Sequence, residues 1–86
     1  MSANTVTTIR RVVAEHARLA VDVDGVADDA DLFAAGMTSH ASVNLMLGLE
    51  EAFDLEFPDR MLTRAVFESI ASIQAAIDEL TAEDAG

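Results

Sequence analysis

Apolar residues recur at three- and four-residue steps in three separate stretches of this chain, and no stretch alternates apolar and polar residues between hairpin turns. A chain with that pattern buries its apolar surface by packing helix on helix, so the expected fold class is all-α. Val6, Ile9, Val13 and Ala20, with Val12 and Leu19 beside them, predict a first helix over about residues 5–20. Leu45, Leu49 and Phe53 form the stripe of a second over 39–53, which Asp54 and Pro58 end. A short helical segment follows over 60–67. Ile70, Ile73, Ile77 and Leu80 then line a last helix over 70–80, capped by Ser69 or Ser72, with 81–86 expected to fray. The sum is a four-helix bundle of three main helices and one minor one, with a long connection between the first and second.

Two features of the second helix stand out. Val43, Met46 and Leu47 give it more apolar circumference than one buried face requires, so it is central or faces a partner. Gly48 in its interior costs about 1 kcal/mol relative to Ala and reads as tolerated rather than as a close approach. In the long connection, Leu32 and Phe33 are the expected pins to the core.

With 86 residues, 51% of them apolar, the chain suits one domain spanning 1–86. It contains no cysteine, so disulfides and thiolate metal sites are excluded and packing alone must hold it. No signal-peptide pattern and no run of about 20 apolar residues is present, which leads us to expect a cytoplasmic protein, monomeric on its own. The formal charge is −11, and between Leu19 and Asp59 there are ten acidic residues and no lysine or arginine. Such a surface disfavours nucleic acid and anionic membranes and favours partners with basic patches.

Three motifs carry possible chemistry. Counted from Asp22, the glycine at Gly25 is fourth and position twelve is Phe33, whereas a calcium loop needs glycine sixth and glutamate twelfth, so no metal site is expected. Ser39 beside His40 resembles a nucleophile and its base, but helical neighbours point about 100° apart, and no catalytic residue is assigned. The segment from Asp31 to Ser39 delivers a hydroxyl from a glycine-containing turn onto the first turn of an apolar helix. Unpaired amides and the helix dipole favour an anion there by roughly 0.3 to 1 kcal/mol. A helix N-cap, formed by Thr38 or Ser39, is the other reading of the same residues.

Leu32, Phe33, Gly36 and Ser39 match the Leu-Phe-x-x-Gly-x-x-Ser pattern of the acyl and peptidyl carrier proteins, which this chain resembles over most of its length. Leu49, Glu50, Glu51 and Phe53 match the family's Leu-Glu-Glu-x-Phe, Pro58 and Asp59 its Pro-Asp, and residues 73–77 look like its last helix. The resemblance implies that a phosphopantetheinyl transferase attaches 4′-phosphopantetheine from coenzyme A to Ser39. The arm's thiol then holds an acyl or aminoacyl group as a thioester, which explains how a cysteine-free chain performs thiol chemistry. It further implies docking of partner enzymes through Val43 and Leu47, with Glu50 as an acidic continuation.

The family's usual Asp-Ser-Leu is here Thr38-Ser39-His40, which alters both neighbours of the serine and brings Thr38 and His40 into the partner contact. In this the chain is similar to the small stand-alone bacterial carriers charged by amino acid:carrier protein ligases related to class II aminoacyl-tRNA synthetases. The implied partners are the transferase, an acyl- or amino acid-activating ligase and a downstream acceptor enzyme. The alternative is an unmodified helical interaction module with the carrier fold.

Overall fold

Four helices account for the apolar periodicity in a computed structural model that describes the backbone of residues 2–85 and the side chains of residues 5–81. They are α1 (Ser2–His16), α2 (Ser39–Phe53), α3 (Arg64–Phe67) and α4 (Ile70–Ala85). Short 3-10 turns lie at Val23–Gly25 and Asp59–Met61, and no strand occurs among the described residues. Helix α1 packs against both α2 and α4, and α3 packs against α4. The core between them holds Ile9, Val12 and Val13 of α1, Leu45 and Leu49 of α2, and Ile70, Ile73 and Ile77 of α4. Each fully buried aliphatic side chain contributes about 1.5 to 3 kcal/mol.

The first helix begins at Ser2 rather than about residue 5, and three further limits differ from expectation, the first two of them for a tertiary reason. The first helix ends at His16 rather than residue 20, because Ala17 makes the last helical hydrogen bond, to Val13, and Arg18 turns left-handed at φ 52°. The turn frees the Ala20 N–H to donate to Ala35 O at 2.9 Å; Ala20 is exposed and Ala17 takes the core position. The segment 60–67 is not one helix but the 3-10 turn and α3, separated by Leu62 and an extended Thr63. Met61 and Phe67 are both buried, and six residues of continuous helix would set them roughly 120° apart. The break lets both face inward, with Phe67 edge-on to Phe57 at 5.3 Å between ring centres.

The last helix runs beyond residue 80 to Ala85, where fraying was expected, and Thr81 Oγ1 donates to Ile77 O at 3.0 Å. Gly86 lies outside the described residues. Ser69 caps α4: its Oγ accepts the Ser72 N–H at 3.0 Å, while Ser72 Oγ accepts the Ser69 N–H at 3.2 Å.

Gly48 is a close approach, not a tolerated glycine. A β-carbon there would lie 2.6 Å from His16 Cδ2 and 3.0 Å from Val12 Cγ1, so α1 and α2 approach as closely as they do because the side chain is absent.

Candidate functional site

The connection 17–38 reaches the start of α2 through a chain of local and long-range hydrogen bonds. Arg10 of α1 donates to Val23 O at 2.8 Å and pairs with the Asp28 carboxylate. Asp28 O accepts the Ala71 N–H of α4 at 2.8 Å, and Leu32 N–H donates to Glu68 O at 2.6 Å. The Leu32 side chain is fully buried, so this loop is anchored from α1 and from the α3–α4 junction together.

Local chemistry does the rest. Asp31 Oδ1 accepts the Phe33 N–H at 2.9 Å and starts a turn that closes when Met37 N–H donates to Leu32 O at 3.0 Å. Gly36 completes it at φ 117°, a conformation L side chains avoid, and an added β-carbon would meet Ala20 N at 2.8 Å. Met37 turns into the core. Thr38 is then extended and its Oγ1 accepts the Ala41 N–H at 3.0 Å, which makes Thr38 the N-cap and leaves Ser39 the first helical residue.

Ser39 and His40 are exposed, at the end of α2 where backbone N–H groups lack intrahelical partners and the dipole is positive. The N-cap and the anion-site readings thus fall on separate residues, Thr38 and Ser39. On the same side of α2, Val43 and Leu47 are 52% and 53% exposed, forming an apolar strip that leads away from the hydroxyl. Glu50 differs from expectation: it is half-buried and its Oε2 accepts the Phe57 N–H at 2.9 Å, so the carboxylate closes the connection after α2.

Sequence reasoning missed a groove of about 440 Å³ that opens beside Ser39, between α2 and residues 62–67. Val43, Met46, Leu62 and Phe67 line it, and Phe33, expected as a core pin, is half-buried in its wall. Arg64 lies over the Phe33 ring, 4.1 Å from its centre. No sequence signal located the groove, because its walls come from three distant segments. Among the described residues no cluster of His, Asp or Glu is fit to hold a metal ion, and no helix is long and apolar enough to cross a membrane.

An accessible hydroxyl, free amides for a phosphate and an apolar groove at its side fit a phosphate-linked chain of phosphopantetheine type. The family described as Phosphopantetheine attachment site matches residues 7–80. The aminoacyl carrier protein of Agrobacterium fabrum is 54% identical over 70 residues, covering 81% of this chain and 84% of that protein. A similar fold is seen in the carrier protein from Agrobacterium tumefaciens, crystallised with an engineered Bradyrhizobium japonicum glycine:[carrier protein] ligase and ATP. There the TM-score is 0.85 at 51% identity, over 87% of this chain and 97% of that one. The glycylated carrier protein crystallised with the Bradyrhizobium japonicum ligase superposes with a TM-score of 0.74 at 32% identity, over 85% of this chain and 97% of that one. This chain therefore belongs to the carrier proteins of the phosphopantetheine-attachment family, whose cofactor is covalent 4′-phosphopantetheine.

Proposed function

We propose that Ser39 is the attachment point and that residues 1–86 act as one monomeric, cytoplasmic aminoacyl carrier domain that catalyses nothing itself. The observation that carries this is the exposed Ser39 hydroxyl at the amide-rich start of α2, held there by the Gly36 turn and the Thr38 cap. The bound arm supplies a thiol on which an aminoacyl group is held as a thioester. The chain's own part is to present Ser39 to a phosphopantetheinyl transferase, and then the arm to an amino acid-activating ligase and an acceptor enzyme.

Support for an amino acid as cargo comes from similarity to carrier proteins crystallised with a glycine:[carrier protein] ligase, one of them glycylated. The exposed Val43 and Leu47, flanked by His40 and Thr38, form the surface for these partners, with Glu50 at its far end. A half-exposed apolar strip on an acidic domain suits short-lived docking to enzymes with basic rims.

Coenzyme A and a broad-specificity transferase should add one phosphopantetheine mass to the parent chain and none to Ser39→Ala, read by intact mass spectrometry. A gain that persists in Ser39→Ala would move the attachment point, and no gain in the parent would favour the unmodified interaction module. Glycine, ATP and the Bradyrhizobium ligase should then add a hydroxylamine-labile glycyl group to the modified form. If a panel of amino acids all fail with that class of ligase, the carrier assignment stands and the aminoacyl cargo falls.

A further inference from the structure

The start of α2 offers the arm's phosphate backbone amides and a dipole but no basic side chain. Residues 19–59 contain no lysine or arginine, so a phosphodiester at Ser39 is mounted on a helix and loop whose only formal charges are negative. Repulsion among like charges would drive the arm outward unless a cation arrives from elsewhere in the fold. Of the five arginines, Arg10 is committed to Asp28 and Val23, and Arg60 to Glu79. Arg64 is the cation that lines the groove beside Ser39.

Its surroundings leave it available. Among the described residues the Arg64 side chain forms no ion pair or hydrogen bond, and its one directed contact is the face of Phe33 at 4.1 Å. Stacking on a ring holds the guanidinium plane while leaving its N–H edge open, the edge that pairs with phosphate oxygens. The groove it shares with Ser39 has Val43, Met46, Leu62 and Phe67 as apolar lining and a volume of about 440 Å³, within the range of small-molecule sites.

Resting on the assignment of Ser39, we infer that Arg64 is a positioning residue: it pairs with the phosphodiester and lays the first part of the arm along the α2–α3 groove instead of leaving it free in solvent. The alternative is that Arg64 merely shields Phe33 from water. That reading requires no response at Arg64 when Ser39 is modified.

The test uses ¹⁵N-labelled full-length chain before and after modification with coenzyme A and a transferase, with conversion verified by mass. In the parent, the Arg64 Nε–H and the amides of residues 62–67 should shift on modification, alongside those of Ser39 and His40. In Arg64→Gln the shifts at 62–67 should shrink by a factor of about two to five, the range for an exposed charge pair, while those at Ser39 and His40 persist. Arg64→Lys should give an intermediate result, keeping charge but losing the fork. Full conversion with residues 62–67 unmoved, or a loss of those shifts in His40→Gln and not in Arg64→Gln, would overturn the role of Arg64 alone. Absence of any mass gain would overturn it together with the Ser39 assignment.

Discussion

The two faces of α2 are built from the same residue types and serve opposite ends. Leu45 and Leu49 are fully buried in the core on the side where α2 meets α1, whereas Val43 and Leu47, each two residues from Leu45, are about half exposed. Two residues along a helix is about 200° of rotation, so each pair of neighbours divides between core and solvent. The buried face holds the bundle together. The outer face leaves about half of each apolar side chain in solvent, the surface that the proposed function assigns to partner enzymes. Apolar content therefore does not reveal function; the direction in which it points does.

The sharpest way to break this contrast is to truncate the buried face. Leu49→Ala should cost about 2 to 5 kcal/mol in urea unfolding, since the surrounding helices cannot close the cavity. A midpoint equal to the parent's would place Leu49 outside the core. Next comes the turn that aims the outer face. Gly36→Ala forces a left-handed backbone on a residue with a β-carbon and drives that carbon onto Ala20 N, so we expect about 1 to 3 kcal/mol of destabilisation. Modification of Ser39 should slow as well, measured by the time course of mass gain, because the loop must move to relieve the contact. Unchanged stability and modification rate would show that this turn does not set the start of α2.

A smaller effect is expected where α1 meets α2. Gly48→Ala gains about 1 kcal/mol of helix propensity but pushes a methyl into His16 and against Val12, whose packing cannot relax freely. The net should be a loss of about 1 kcal/mol. In the His16→Ala background the same change should become neutral or stabilising, since most of the conflict is with the imidazole. Equal losses in both backgrounds would detach Gly48 from that contact. Least of all should Leu47→Glu disturb the fold, by no more than about 0.5 kcal/mol, yet it should slow aminoacyl loading by a partner ligase. Equal loading rates for Leu47→Glu and the parent would remove the outer face from the docking surface.

Much of this was legible along the chain. The limits of α2, from Ser39 to Phe53, follow from its own cap, stripe and terminating Asp54, which adopts a left-handed conformation at φ 53°. The position of Ser39 was legible for the same reason. Glu50 was read only in part, because its carboxylate also accepts a backbone N–H at Phe57 that no period in the sequence pairs with it. Gly48 was misread: helix propensity sees only the cost of a missing side chain, whereas the ring that occupies the vacated space belongs to another helix.

The amino-acid order by itself determined that the chain is helical, where its central helix begins and which hydroxyl stands at that point, since period, capping and glycine turns act over a few residues. The tertiary structure alone decided where α1 stops, why residues 60–67 break in two, and that Arg64 and Phe33 share a groove with Ser39. Those outcomes depend on groups distant in sequence meeting in space, and burial and hydrogen-bond pairing between such groups outweigh the weaker local preferences that a sequence displays.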